Sequence, residues 1–367
     1  MSTPLRLTCL VSMLLAAVPA VAGDAESAKQ AAVESIDAHR SELVDLADQI
    51  WAFAETALRE TRSAAVLADY AEAHGFEVER GVAGMPTAFV ASFGEGRPII
   101  GILGEYDALP YLSQEPGVAE PRPIENGGNG HGCGHNLLGA AALLAATAVK
   151  DWLEENGVKA RVRYYGCPAE EGGAAKAYMV RDGLFDDVDA AISWHPSTFT
   201  AVNRPVSLAN TRIDFTFHGK AAHAAAAPEL GRSALDAIEL MNVGVNYLRE
   251  HIPDGARIHY AYLDAGGLAP NVVQHKATVR QLIRAKDLPE LYSIIERVKK
   301  IAEGTALMTG TTVEPKVFSG VSNLVGNRPI EEAMQTEMER LGPISFDEDD
   351  IAFAREIQKT LSKDCLL

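Results

Sequence analysis

An α/β fold built on a mostly parallel sheet, with a smaller α+β unit inserted into it, is the architecture this sequence predicts. Three observations carry the prediction. Apolar runs of strand length alternate with helical patterns from Phe76 to Trp194. Acidic, Cys or His residues stand just past several of those runs, where open α/β sheets place their sites. From Thr211 to Phe318 the pattern changes to strand, helix, two strands, helix, strand, the order of a split βαβ unit.

Taken in order, Val33, Ile36, Leu43, Leu46, Ile50 and Trp51 recur at helical spacing, so one long amphipathic helix is expected from Asp24 to about Leu58. A second helix covers Arg62 to His74 and stops at Gly75. Strands are expected around Phe76 to Val82, Thr87 to Phe93 and Pro98 to Leu103, the last with Glu105 and Asp107 just beyond it. A Pro-, Gly-, Asn- and Glu-rich loop between Pro110 and Asn129 is longer than most connections, and such loops tend to be functional. It leads to Gly130-His131-Gly132-Cys133-Gly134-His135-Asn136 and a helix from Asn136 to Asn156, stopped by Gly157.

Lys159 to Gly166 reads as a strand ending at Pro168-Ala169-Glu170-Glu171. A short helix at Ala174 to Arg181 and a strand at Asp189 to Trp194 bring the chain to His195. The inserted unit follows: strands at Thr211 to His218, Arg257 to Leu263, Lys276 to Arg284 and Thr311 to Phe318, with helices at Ser233 to His251 and Leu288 to Thr309. Helices at Pro329 to Leu341 and Asp347 to Ser362 close the chain. The division expected is residues 1–22 as a signal segment, 24–207 as the first part of the larger domain, 208–318 as the inserted unit, and 319–367 as the larger domain's second part.

The chain of 367 residues is 47% hydrophobic and 23% charged, an ordinary globular composition with room for two domains. A net charge of −17 argues against nucleic acid or an anionic membrane as partner. Met1 to Arg6, the apolar Leu7 to Val21 and the small-x-small Ala20-Val21-Ala22 read as a cleavable secretory signal, so a periplasmic or secreted protein is expected. Removing that segment leaves Cys133, Cys167 and Cys365, too few for a disulfide framework. Cys167, at the end of an apolar strand, is read as a buried small hydrophobe.

Cys133-x-His135 in a glycine-rich turn, with Glu171 and His195 past the next strands, supplies S, N, O and N donors from three loops. That set suits a borderline divalent ion such as zinc, and tolerates manganese where carboxylate and water complete the shell. Glu170 and Glu171 are adjacent and diverge on a loop, so one can bind a metal while the other accepts a proton from water. Glu105 and Asp107 suit either ligands or partners that orient ligand histidines, and the orienting or structural role is preferred. His131 reads equally as a ligand or a loop residue. In the inserted unit, His223 lies in a small-residue turn. Asn271 and Arg284 flank a strand, where the guanidinium is suited to gripping a carboxylate.

These motifs together resemble a known family. Gly-Glu-Tyr-Asp-Ala-Leu-Pro, Gly-Cys-Gly-His-Asn, Pro-Ala-Glu-Glu-Gly-Gly, the Trp-His at His195, Gly-Lys-Ala-Ala-His-Ala and Gly-Gly-Leu-Ala-Pro-Asn-Val-Val are similar to those of the metal-dependent amidohydrolases related to carboxypeptidase G and the aminoacylases. The resemblance implies a catalytic domain holding two divalent ions, Mn2+ or Zn2+, and an inserted lid that dimerises, as a homodimer or a heterodimer. It implies Cys133, His135, Glu171 and His195 as metal ligands and Glu170 as general base. His223 would stabilise the tetrahedral intermediate in a neighbouring subunit, and Asn271 and Arg284 would hold the substrate. The reaction implied is hydrolysis of an amide in an N-acyl or N-aroyl amino acid. The family's pattern also continues into a further strand and helix carrying a last metal-binding histidine. No histidine follows His275, so an incomplete second part of the catalytic domain is expected. The alternative expectation is a non-catalytic relative that binds amino-acid conjugates or partners an intact subunit. A Cys133 nucleophile with His135 as base is disfavoured, since residues two apart rarely face each other.

Overall fold

The computed structural model describes residues 25–197, 199–202 and 207–361. The expected signal segment, residues 1–22, lies outside the described residues. In place of the one long helix expected from the spacing there are two, α1 (Ala25–Ala38) and α2 (Arg40–Phe53). His39 breaks them with φ −96° and ψ 7°, outside helical geometry, and its Nδ1 lies 2.8 Å from Glu42 Oε2. The two helices serve different neighbours. α2 buries Leu46, Ala47 and Ile50, whereas α1 buries no residue.

The chain continues through α3 (Thr61–Ala73), β1 (Glu77–Arg80), β2 (Phe89–Gly94), β3 (Ile99–Glu105), α4 (His135–Asn156), β4 (Arg161–Cys167), α5 (Ala175–Arg181) and β5 (Ala190–Ile192). The five strands form one sheet in the order β1-β2-β4-β3-β5. β3 runs parallel to both β4 and β5, and β1 and β2 add an antiparallel edge. The fold class is therefore α/β, with parallel pairing in the part of the sheet that matters for the site. Alternation along β4 sends Val162 and Tyr164 into the core shared with α4, and Tyr165 and Cys167 into a second core with Met179 of α5.

α4 starts where it does because Gly134 takes a left-handed φ of +73° as its cap. One turn in, Gly139 lets the helix rest on β3: a Cβ there would lie 2.6 Å from the Glu105 carbonyl oxygen. The long loop before α4 is closed at its base, because Leu109 and Gly130 exchange two backbone hydrogen bonds of 3.0 Å.

A second sheet follows, from β6 (Ala209–His218), α6 (Ala234–Leu248), β7 (Arg257–Asp264), β8 (Lys276–Ala285), α7 (Leu288–Thr309) and β9 (Thr312–Val321). Its order is β7-β8-β6-β9, all antiparallel. β6 alternates buried and half-buried residues along its length, and Phe215 and Phe217 pack with Met241 of α6 and Val298 of α7. This is the expected βαββαβ unit. Arg212 on β6 reaches back to the first sheet, donating to the Gly172 carbonyl at 3.0 Å. The last helices, α8 (Arg328–Leu341) and α9 (Glu348–Thr360), bury no residue, and α8 pairs with α1 through Lys29–Glu337 and Arg340–Glu26. Among the described residues no helix is long and apolar enough to cross a membrane.

Candidate metal centre

The C-terminal ends of the three parallel strands and the start of α4 meet at one place. β3 ends at Glu105, with Asp107 two residues on; β4 ends at Cys167 and turns into Glu170 and Glu171; β5 ends at Ile192, just before His195. The register that pairs Glu105 with Cys167 across β3 and β4 levels these ends. Ala169 is bent into the left-handed region at φ 56°, a conformation that costs a non-glycine residue free energy and needs outside support. Glu60 supplies it: its Oε1 accepts from the Ala169 and Leu58 amides, both at 2.9 Å.

Cys133, His135 and His195 bring one donor atom each within 4.8 Å of one another, and so do Glu105, His135, Glu170 and His195. The Cys133 Sγ lies 3.5 Å from His195 Nε2. His135 Nε2 lies 3.3 Å from His195 Nε2, 3.3 Å from Glu105 Oε2 and 4.0 Å from Glu170 Oε2. Glu171 is outside both groups, half-buried beside Cys133, and its charge helps push the thiol's pKa up. Asp107 organises the centre from behind. Its Oδ1 and its carbonyl oxygen each lie 3.0 Å from His135 Nδ1, and its Oδ2 accepts from the Glu171 amide at 2.9 Å. With two acceptors facing Nδ1, that nitrogen carries the proton, and Nε2 points its lone pair at the cluster.

The electrostatics follow from burial and crowding of like charge. Burial, then Glu171 and Glu170, push the Cys133 thiol up to about 12. Burial and the neighbouring Glu105 raise the Glu170 carboxyl, with Lys176 and His135 opposing. Burial works against a charged His135, but Asp107, Glu105 and Glu170 outweigh it and hold the imidazole above its ordinary range. Glu105 is 4% exposed and ion-paired to Lys176 through Oε1, yet its Oε2 has no hydrogen-bond partner among the described residues. A buried carboxylate oxygen without a hydrogen bond, 3.3 Å from an imidazole nitrogen, is a costly arrangement that a cation removes. The residues present therefore fit a divalent ion bound by thiolate, imidazole and carboxylate.

Two features were not visible in the sequence. Glu105, read there as orienting or structural, faces the cluster directly, because β3 ends later than expected, at Glu105 itself, and its side chain, on the face of Cys167 and Lys176, reaches His135 past the strand end. Glu60 carried no signal, since the backbone it supports is 109 positions away. His131 is buried, with Nε2 3.0 Å from the Ile50 carbonyl oxygen, and burial pushes it down to about 4, as suits a packed loop residue. The Cys133 thiol faces His195 and not His135, which leaves a Cys133–His135 nucleophile pair without geometry.

His223, Asn271 and Arg284 all lie in the second sheet's unit, outside the cluster. His223 Nδ1 accepts from the Ala225 and Ala226 amides, and the Asn271 carbonyl accepts from Ala224, so His223 and Asn271 sit together beside the start of β8. Arg284 is at the other end of β8, opposite Asn210, about 26 Å along the strand from Lys276 at about 3.3 Å per residue. The two ends face different surroundings, so Asn271 and Arg284 of one chain do not grip one small ligand together.

Residues 101–344 match the model of peptidase family M20/M25/M40. The chain belongs to that family. It is 51% identical over 329 residues to one of the subunits of p-aminobenzoyl-glutamate hydrolase of Escherichia coli (strain K12), an alignment covering 90% of this chain and 68% of that protein. It is 30% identical over 347 residues to the Xaa-Arg dipeptidase of Homo sapiens, covering 89% and 74% of the two chains. The same fold occurs in the crystal structure of the aminobenzoyl-glutamate utilization protein from Klebsiella pneumoniae, with a TM-score of 0.67, 18% identity, and coverage of 89% of this chain and 90% of that one. As an M20 family member the chain is a metallohydrolase, and the donor cluster is the place where its metal chemistry is built.

Proposed function

We propose that this chain hydrolyses the amide bond joining an acyl or aroyl group to an amino acid, in conjugates of the p-aminobenzoyl-glutamate kind. The reading is supported by the 51% identity to a hydrolase named for that substrate. The observation that carries it is Glu170, a carboxylate with its pKa raised, 4.0 Å from His135 at the edge of the donor cluster and open to solvent. Cys133, His135, Glu171 and His195 would hold zinc or manganese, two ions in all, with Glu105 facing the same space. Divalent ions held there would acidify a water and polarise the scissile carbonyl. Glu170 is placed to accept a proton from the attacking water and hand it to the leaving amine, a role its raised pKa suits. Asp107 fixes the His135 tautomer, and Lys176 neutralises part of the carboxylate charge.

The second sheet's unit would serve as lid and dimer surface. β7 has no strand on its outer edge among the described residues and exposes Tyr260, Tyr262 and Leu263, and α6, whose Asn242 reaches the Tyr262 hydroxyl at 3.4 Å, exposes Leu240, Val243 and Tyr247. Pairing there, with a second copy or with a different subunit, would let His223 and Asn271 approach a neighbouring chain's cluster while Arg284 stays near its own. A heteromer is supported by the name of the Escherichia coli relative, which makes it one of two kinds of subunit in its hydrolase. The N-terminal pattern supports a location in the periplasm or outside the cell for the mature protein.

The test is Glu170→Ala in the manganese- or zinc-loaded chain, assayed on p-aminobenzoyl-glutamate and N-benzoyl amino acids. Turnover is expected to fall on the order of 10² to 10⁴-fold with bound metal unchanged. Undiminished turnover overturns the assigned base.

A further inference from the structure

A second group of metal-type donors lies far from the strand ends. His39, between α1 and α2, Glu42 on α2, and His74, the cap of α3, bring one donor atom each within 4.8 Å of one another. Glu42 Oε2 sits between the rings, 2.8 Å from His39 Nδ1 and 3.3 Å from His74 Nε2. The rings meet edge to face, with centroids 5.1 Å apart, and Tyr70 stacks on His74 at 3.9 Å.

The outward-facing nitrogens are also committed. His74 Nδ1 lies 2.8 Å from the Tyr70 carbonyl oxygen, and His39 Nε2 lies 3.6 Å from Asp151 Oδ2, a carboxylate held in turn by the Ser35 hydroxyl at 2.7 Å. Three of the four ring nitrogens are within hydrogen-bond distance of an oxygen, and the fourth, His39 Nε2, is at ion-pair distance from Asp151. A neutral imidazole has one N–H. With Nδ1–H of His74 given to the Tyr70 carbonyl, its Nε2 is a bare lone pair 3.3 Å from the Glu42 carboxylate, and His39 Nδ1 is the second ring nitrogen on that carboxylate. That is the arrangement of metal-binding histidines, whose second N–H is spent on a carbonyl or carboxylate. Donors about 2.0 Å from a tetrahedral zinc are separated by roughly 3.3 Å, the separation between His74 and Glu42, while His39 Nδ1, 2.8 Å from Glu42, would move out by about 0.5 Å to share the ion.

We propose that His39, Glu42 and His74 form a structural site for a zinc-type divalent cation, with Asp151 as the outer partner of His39. The site joins the α1–α2 break to α3 and α4. Asp151 and His135 are both on α4, sixteen residues apart, which at 1.5 Å per residue is about 24 Å. The ion bound here is thus separate from the strand-end cluster. It braces α1, which buries nothing of its own.

The experiment uses the full chain with zinc as the probe, and reads zinc per chain and cobalt(II) absorption after desalting. Replacing both histidines by alanine (His39→Ala, His74→Ala) is expected to remove one zinc per chain and leave amide turnover unchanged. In a Cys133→Ser, His195→Ala background, cobalt is expected to give the absorption of a tetrahedral nitrogen and oxygen site, lost again on adding Glu42→Gln. Asp151→Asn is expected to weaken zinc about 10-fold through the outer partner. If either background folds poorly, Glu42→Gln alone decides, since it keeps shape and hydrogen bonding while removing the charge. Zinc content and zinc-induced thermal shift unaltered by Glu42→Gln overturn the proposal.

Discussion

Around β6 to β9 the interior is mostly hydrocarbon: Ile213, Phe215, Phe217, Val279 and Ile283 are fully buried beneath α6 and α7, with the neutral amide pair Gln281–Asn242 as the buried polar exception. Around the ends of β3, β4 and β5 the interior instead holds Glu60, Glu105, Asp107, His131, His135 and Asn136, all buried. The first arrangement gains from removing apolar surface from water and asks nothing of outside groups. The second concentrates carboxylates and imidazoles where desolvation penalises them, and leaves Glu105 Oε2 bare. One region is built to be stable, the other to hold an ion and move a proton.

The contrast can be broken most severely at His135. His135→Ala is expected to lower turnover at least about 100-fold, strip metal from the cluster, and destabilise by about 3 kcal/mol because Asp107 is left as a buried charge without its partner. A chain that keeps both its metal and its stability after this change would mean the two regions do not differ as described. Phe215→Ala should cost a similar amount, about 3 to 5 kcal/mol, seen in denaturant titration, but with metal content and KM unchanged in the folded fraction. Metal loss in that variant would show that the second sheet's unit shapes the cluster.

Removing metal with a chelator sharpens the comparison by region. Amide exchange is expected to rise at the start of α4 and in 168–174, while β6 and β8 stay protected. Uniform deprotection would contradict a local role for the ion. In the stripped chain, His135 also imposes a pH dependence. Its folded pKa lies above the ordinary 6.5, so the stability from pairing with Asp107 is fully present below about pH 6.5 and is lost as pH rises through the folded value. Thermal midpoints should fall over that window, and Asp107→Asn should flatten the slope. The smallest effect is expected at Glu60. Burial raises this carboxyl, so Glu60→Gln, which keeps an acceptor for Ala169 and Leu58, should change stability by less than about 1 kcal/mol and turnover only a few-fold.

Local signals carried much of this fold. α7 begins and ends where Asp287-Leu288-Pro289 and Gly310 say it should, with Asp287 capping the Glu290 amide and Gly310 in the left-handed region. The α1–α2 break was hidden because no Gly or Pro marks it and the apolar spacing runs on across His39. In the site, Cys133, His135 and His195 were legible from glycine-rich turns and strand ends, and they do converge. Glu105 was not, because an acidic residue at a strand end looks the same whether it faces solvent or a cluster, and only the register with β4 decides. Glu60 and Lys176 depend on contacts across 109 and 71 positions, which no local pattern encodes.

The paired hydrogen bonds between Leu109 and Gly130 make the excursion between them a closed module. Leu112, packed on Gly130 and Gly132, and the Ser113–Gly128 bond brace its base further, so it is the tip, residues 115–124, that can lengthen, shorten or change character farthest from Cys133. A loop anchored this way is a natural place for related hydrolases to diverge in what they accept while inheriting the same chemistry. It is equally the segment to exchange between them when a new specificity is wanted on this scaffold.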